Sequence, residues 1–262
     1  MWRWWLKWVL GLLLALMTSA QAADVRVLRI ATGELPPYAT ESRADQGIAL
    51  NVVRRAFELA GYKVEFSFMP WSRALVETRA GRWDGTAYWG RTEERERDFW
   101  HSDNVLTEQW VFIHRKSIDL DWKTLDDLKP FLLAVIRDYT YTPELRAKVS
   151  SGELRADPTP DDLAALRKLI AGRVDVAPME RNVACDLLGR HFSEGEVARL
   201  HAHPKLMTEN FTTHLLLPRG QISSVVLLKS FNDGLKKLYE SGEHARILKQ
   251  VKCPNSWSNV GS

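Results

Sequence analysis

The chain has 262 residues, 45% of them hydrophobic and 26% charged, which is ordinary for a globular protein and enough for one large or two small domains. The formal net charge is +3, and Arg3 and Lys7 sit in the first 22 residues with no acid, so the rest carries only +1. A body this close to neutral gives no electrostatic case for nucleic-acid binding.

Residues 1–22 read as an export segment. Arg3 and Lys7 make the positive start, and Val9–Met17 is an apolar core too short to span a bilayer comfortably. Ala20-Gln21-Ala22 offers small residues for signal peptidase, so cleavage is expected before Ala23; an uncleaved anchor is the plain alternative. The mature protein is expected to be soluble and periplasmic.

Beyond the segment, Val25–Ala31 reads as a buried first strand, followed by the proline-stiffened loop Gly33–Tyr38. Gly47 opens a helix with apolar residues at Val52, Val53, Ala56, Phe57 and Ala60, and Gly61 ends it. Val64, Phe66 and Phe68 alternate in a second strand. A helix over Trp71–Ala80 closes at Gly81, where glycine supplies the left-handed conformation that ends a helix.

Trp83–Trp89 then reads as a short buried strand delivering Tyr88, Trp89, Gly90, Arg91 and Thr92, with Arg95 three residues on. Open α/β sheets bind ligands at such strand ends. The pattern recurs: Ala171-Gly172-Arg173-Val174-Asp175 repeats Ala80-Gly81-Arg82-Trp83-Asp84, and its strand delivers Pro178, Met179 and Glu180. Two such units suggest two lobes facing one cleft, with Arg95 on one wall and Glu180 on the other. A cation opposite an anion suits a small zwitterion.

Trp110–His114 reads as a strand, Asp121–Leu128 as a short helix, and Phe131–Ile136 as a buried strand followed by a loop carrying Tyr139 and Thr140. Thr142-Pro143 and Thr159-Pro160 each start a helix with proline at its first position. Val174–Ala177 is a strand, residues 181–190 a helix and Leu215–Leu217 a strand. The last long helix carries Leu228, Phe231, Leu235 and Leu238 on one face, and the tail from Pro254 is expected to fray. Strands alternate with helices throughout, so the class is α/β with largely parallel strands. No linker divides the chain at its middle, which suggests that it crosses between lobes more than once.

Each candidate residue also has a plain structural role. Arg95 fits a solvated charge run, Arg91-Thr92-Glu93-Glu94-Arg95-Glu96-Arg97, and Thr92 fits a helix cap. Glu180 fits an acid at a helix start. Trp71, Tyr88 and Trp89 fit a core, whereas Tyr38 sits in an open loop. Arg73 offers a second anion contact. Cys185 and Cys253 form an even count, which an oxidising compartment permits to bridge; two separate buried thiols are the alternative. His201 and His203 alternate on a possible strand, a weak metal signal by itself. No Ser–His–Asp arrangement or glycine-rich phosphate loop stands out.

Three segments carry a resemblance to a known family. Gly47-Ile48-Ala49-Leu50-Asn51-Val52-Val53-Arg54-Arg55-Ala56-Phe57, Thr92-Glu93-Glu94-Arg95 followed by Ser102-Asp103, and Phe231-Asn232 leading to Ser241-Gly242 together resemble the third family of bacterial extracellular solute-binding proteins, over nearly all of residues 24–252. The resemblance implies a two-lobed periplasmic binding fold of type II with two strand crossings, near Thr107–Gln109 and Thr208–Thr213. Lobe one would be 23–108 and 213–262, lobe two 109–212. It implies that Arg95 grips a ligand carboxylate, Glu180 an ammonium, that Tyr38 stacks on the ligand, and that Tyr139 and Thr140 donate hydrogen bonds. Ala49 and Asn51 depart from the acids usual near the start of the signature helix, and Gly90, Tyr88 and Arg91 depart near Thr92. The cleft should therefore be richer in aromatics and positive charge than is usual.

The resulting expectation is a monomeric receptor that takes a small polar solute, an amino acid or related zwitterion, and hands it to the membrane permease of an ABC importer. No cofactor and no metal are expected. The competing readings are a periplasmic enzyme on the same scaffold, resembling cyclohexadienyl dehydratases, with Glu180 as acid, and a ligand-sensing module.

Overall fold

The computed structural model describes residues 25–137 and 139–249, with Cys253 and Trp257 beyond them. The expected export segment and its cleavage point lie outside the described residues. Trp257 is 2% exposed and packs in the core, so at that residue the expected fraying is corrected.

A single curled sheet runs through two lobes in the order β2-β1-β3-β10-β5-β8-β6-β7. In the first lobe β1 (Val27–Thr32) pairs in parallel with β2 (Lys63–Phe68) and β3 (Gly85–Gly90). In the second, β6 (Leu132–Ile136) pairs in parallel with β7 (Arg155–Thr159) and β8 (Val176–Glu180). Two long antiparallel strands, β5 (Leu106–Arg115) and β10 (Thr208–Pro218), join them. One end of β10 pairs with β3 while the far part of β5 pairs with β8, so each strand belongs to both lobes. These are the two expected crossings. The short β4 (Phe99–His101) and β9 (Leu200–Ala202) add edges on β10 and β5.

Helices cover the sheet. α1 (Ile48–Leu59), α2 (Trp71–Arg79) and α3 (Glu93–Asp98) belong to the first lobe; α4 (Pro143–Ser150), α5 (Asp162–Ile170), α6 (Arg181–His191) and α7 (Glu194–Val197) belong to the second. The last two helices among the described residues are α8 (Ser223–Glu240) and α9 (Glu243–Leu248). α8 crosses α1 so closely that a Cβ on Gly234 would lie 1.9 Å from the Ala56 carbonyl oxygen. Only glycine permits that backbone contact, which anchors the last helix to the first.

The repeated Ala-Gly-Arg-x-Asp motif has one structural job in each lobe. Gly81 (φ 78°) and Gly172 (φ 71°) close their helices in the left-handed region. The following aspartate then latches the neighbouring parallel strand: Asp84 accepts from the Arg29 N–H at 2.9 Å, and Asp175 from the Leu132 N–H at 2.9 Å. The backbone N–H of each aspartate donates back, to the Arg29 oxygen at 3.0 Å and the Leu132 oxygen at 2.8 Å. The repeat therefore sets the register of the central strands, and hence where β3 and β8 end.

Several sequence expectations need correction. Pro160 does not occupy a first helical position: Thr159 ends β7, and Asp161 caps α5 by accepting from the Ala164 N–H at 2.7 Å. β7 escaped notice because Pro158 interrupts it, and proline is tolerated there because β7 is an edge strand. The expected helix over Asp121–Leu128 shrinks to a 3₁₀ turn, Leu125–Leu128, opened by a capping box from Thr124 and Asp127. Cys185 on α6 is bonded to Cys253, tying the second lobe to the segment after α9. Among the described residues no helix is long and apolar enough to cross a membrane.

Candidate functional site

The cleft lies where β3, β5 and β10 meet the loop after β6. Leu35, Trp71, Tyr88, Trp89, Gly90, Glu108, Trp110, Tyr139, Thr140, Phe211 and Thr213 line it. Six of these eleven are aromatic. Trp71 and Trp89 pack edge-on at 5.1 Å, and Trp110 meets Phe211 at 5.3 Å and Tyr139 at 6.2 Å.

Arg95 stands at one pole. Thr92 accepts from the Arg95 N–H at 3.3 Å, capping α3 and fixing the direction in which the guanidinium leaves the helix. The Arg95 Nη1 donates to the Gly90 carbonyl at 2.8 Å and, across the cleft, to the Thr140 hydroxyl at 2.7 Å. The guanidinium carbon sits 4.7 Å from the Trp89 ring centre. Burial pulls its pKa down to about 10, the mark of a cation held away from water. Its hydrogen-bond partners are neutral oxygens; no carboxylate bonds it among the described residues.

At the other pole are two buried carboxyl groups. Glu108, on β5, is 3% exposed and lines the cleft. It accepts from the Tyr88 hydroxyl and from the Trp110 indole N–H. Glu180, at the end of β8, is 2% exposed. It accepts from the Gln109 N–H at 3.3 Å and the Val183 N–H at 2.9 Å, so it also caps α6. Burial pushes the Glu108 carboxyl up to about 7, and burial followed by the nearby Glu108 pushes Glu180 up to about 8. Neither group has a cation bonded to it among the described residues.

The candidate residues thus divide. Trp71, Tyr88, Trp89, Tyr139 and Thr140 are on the cleft wall, and Arg95 is bonded to it. The Tyr139 hydroxyl donates to Asp162 at 2.5 Å, so it is turned away from the cleft while its ring faces in. Tyr38 lies beneath the wall, 3% exposed, its ring 5.5 Å from Tyr88 and its hydroxyl accepting from Asn182 at 2.7 Å across the lobes. Thr92 is taken up by its cap. Arg73 is paired with Glu77 at 2.8 Å, its side chain 65% exposed, and is not on the wall. His201 packs on His114 and His203 on Trp122, and no group of three possible metal ligands occurs among the described residues.

Sequence reasoning overlooked Glu108, Trp110 and Phe211. The signal was available: in Leu106-Thr107-Glu108-Gln109-Trp110 the acid falls in phase with two buried apolar positions. An acid on the inward face of a strand is costly unless it has a purpose.

The model of the bacterial extracellular solute-binding proteins, family 3, matches residues 28–251. The chain belongs to that family. Among solved structures, an ancestral arginine-binding protein bound to arginine is 20% identical with a TM-score of 0.71, covering 86% of this chain and 97% of that one. A structure from work on glutathione import via GshT and the cystine ABC importer TcyBC of Streptococcus mutans is 20% identical with a TM-score of 0.73, covering 89% and 99%. A histidine kinase sensor domain similar to periplasmic binding proteins is 22% identical with a TM-score of 0.71, covering 88% and 99%. At these identities the likeness speaks for the two-lobed fold. No match is found among the curated proteins.

Proposed function

We propose that this family member is an exported periplasmic receptor that closes its two lobes on an amino acid, or a related zwitterion, and presents it to an ABC importer. The lobes divide at residues 23–108 with 213–262 and at 109–212, hinged where β5 and β10 cross. The signal segment is removed before Ala23.

The observation that carries this reading is the polarity of the cleft. Arg95 is anchored on the Gly90 carbonyl at the end of β3, and Glu108 on the Tyr88 hydroxyl two residues earlier, so a cation and a buried acid are both tied to the carboxyl end of one strand. A carboxylate and an ammonium on one α-carbon suit a site with a cation and an acid so placed. The aromatic wall between the poles excludes water and covers the rest of the solute. Arg95 takes the carboxylate in two parallel bonds, giving up Thr140 or sharing it.

A second reading keeps the site and changes the outcome. Two neighbouring carboxyl groups that burial raises to about 7 and about 8 are suited to general acid chemistry, as a dehydratase requires. A ligand-sensing role also agrees with the likeness to a sensor domain.

A thermal-shift screen of amino acids, amines and small acids, run beside a turnover assay with cyclohexadienyl acids, separates these. The receptor reading expects at least one amino acid to raise the melting temperature without being consumed; at about 100 times its dissociation constant it adds about 2.7 kcal/mol. Product formation from a cyclohexadienyl acid, with no shift from any amino acid, replaces the receptor by the enzyme.

A further inference from the structure

The cleft does not stop at Thr140 and Phe211. Both residues also line an outer chamber of about 460 Å³, bounded by Arg91 from the first lobe, Thr142 from the second and Thr212 on the β10 crossing. Gly90 backs the junction of the two hollows. A Cβ there would lie 3.1 Å from the Phe211 ring and 3.1 Å from the Thr140 methyl, so a side chain at this position would narrow the junction. A solute that ends at Arg95 makes no use of the outer chamber.

The hydroxyl groups of the chamber are sorted by polarity. Thr140 accepts from Arg95 Nη1 at 2.7 Å, which leaves its own proton to donate. Thr212 is the reverse. The Nδ1 of His214 donates to the Ser102 carbonyl at 2.8 Å, and burial keeps the ring neutral by pulling its pKa down. The Nε2 then accepts from the Thr212 hydroxyl at 2.9 Å, which leaves the Thr212 oxygen as an acceptor. A donor and an acceptor in one chamber match the C=O and N–H of a peptide group. A free carboxylate has no use for the acceptor.

Two further groups suit an anion. Thr142 accepts from the Leu145 N–H at 3.3 Å, and its proton too is left to donate. Arg91 gives its Nε to Glu96 of its own lobe, and its two Nη groups carry no hydrogen bond among the described residues. Its side chain is 60% exposed, so the fork is within reach of a solute. Among the described residues no carboxylate lines the chamber. A planar fork with donors to spare is suited to a carboxylate.

We propose that the outer chamber is a second subsite and that the preferred solute is a short peptide: its first residue fills the aromatic cleft, its peptide group meets Thr140 and Thr212, and its terminal carboxylate meets Arg91 and Thr142. This rests on the receptor reading and deepens it, since such a zwitterion is one peptide bond longer than an amino acid. Arg95 then donates to the peptide carbonyl where a single amino acid would present its carboxylate. Single amino acids bind as the shorter and weaker members of the series.

The test is titration calorimetry at pH 7 with L-alanine, L-glutamine and L-arginine, each beside its dipeptide extended by a C-terminal glycine and beside the C-terminal amide of that dipeptide. At least one dipeptide should bind about 10-fold or more tighter than its amino acid, and its amide should lose most of that gain. Arg91→Gln should remove most of the gain, Arg91→Lys should keep part of it, and Thr212→Val should reduce it. If the amino acids bind and no dipeptide binds more tightly, or if the amide binds as well as the acid, the second subsite is wrong and the receptor reading stands. If the gain survives Arg91→Gln in full, the terminal carboxylate is held elsewhere and the assignment of this chamber is wrong. The comparison of acid with amide needs no variant, so a poorly folding variant does not protect the proposal. If none of these probes binds, the receptor reading falls and takes this inference with it.

Discussion

Replacing Arg95 by alanine separates binding from stability. In the empty protein the guanidinium gives two hydrogen bonds from Nη1, to Gly90 and Thr140, and stacks on Trp89. Each bond from a charged donor is worth about 1.5–3 kcal/mol, but burial of the cation costs a comparable amount, as its depressed pKa shows. The two nearly cancel. The variant should therefore fold with a melting temperature within about 4 °C of the parent, since about 1 kcal/mol moves a protein of this size by roughly 2–4 °C. Ligand affinity has no such offset. Losing one partner of a desolvated charge pair costs about 2–5 kcal/mol, or roughly 30-fold to a few thousand-fold in dissociation constant. Arg95→Lys should recover little of this, because a point charge cannot reproduce a planar fork. Calorimetry with the amino acid that shifts the parent most reads the affinities, and a thermal melt reads the control. If Arg95→Ala binds that amino acid as tightly as the parent, the cation that holds the carboxylate lies elsewhere, and Arg91, in the adjoining pocket that shares Thr140 and Phe211, is the next to examine.

Three further outcomes concern the frame. Gly234→Ala should cost at least about 3 kcal/mol, because its Cβ would lie 1.9 Å from the Ala56 carbonyl, while Gly220→Ala, with nothing within 4 Å, should be nearly neutral; paired denaturant melts compare them. Cys185→Ser should cost about 2–5 kcal/mol, since the bridge closes a separation of 68 residues, and a reducing agent should lower the parent's midpoint to match. Stability should also depend on pH in the absence of solute. Glu108 and Glu180 have folded pKa values raised to about 7 and about 8, above an unfolded value near 4.5, so their contribution is complete below about pH 4.5 and is lost as pH rises through 7 and 8. The buried histidines act oppositely: His101, pulled down to about 4, contributes fully only above about 6.5. Melts between pH 6.5 and 8.5 therefore isolate the carboxyl pair, and the midpoint should fall across that range in the parent and less in Glu108→Gln.

Much of the frame was legible because local chemistry and global fold agree. Gly81 and Gly172 announce helix ends, and the aspartates three residues on latch the same neighbouring strand in both lobes. Thr92 announces α3 and thereby the origin of Arg95. Other elements were hidden for physical reasons. β7 contains a proline that only an edge strand admits. The site was half legible. Aromatics at a strand end point to the wall, and Glu180 at a helix start is a buried acid, but its neighbour Glu108 is visible only in the alternation of β5. Tyr38 looked open in sequence, yet Gly47 lets the backbone close on it: a Cβ there would lie 2.4 Å from the Tyr38 oxygen. Arg73 and Arg95 look alike in sequence. What parts them is that Glu77, four residues along the same helix, claims Arg73.

The central claim is that two lobes close on a solute between them, and small-angle scattering tests it most directly. The structure already carries contacts across the cleft, from Arg95 to Thr140 and from Asn182 to Tyr38. A hydrogen bond of this kind is worth only about 0.5–3 kcal/mol net, so the empty lobes are expected to open in solution and a bound amino acid to add the closure energy. The radius of gyration should therefore fall when the amino acid that shifts the melting temperature most is added to saturation, and the same addition should leave Arg95→Ala unchanged. A scattering curve that is identical with and without the bound amino acid would contradict the clamp.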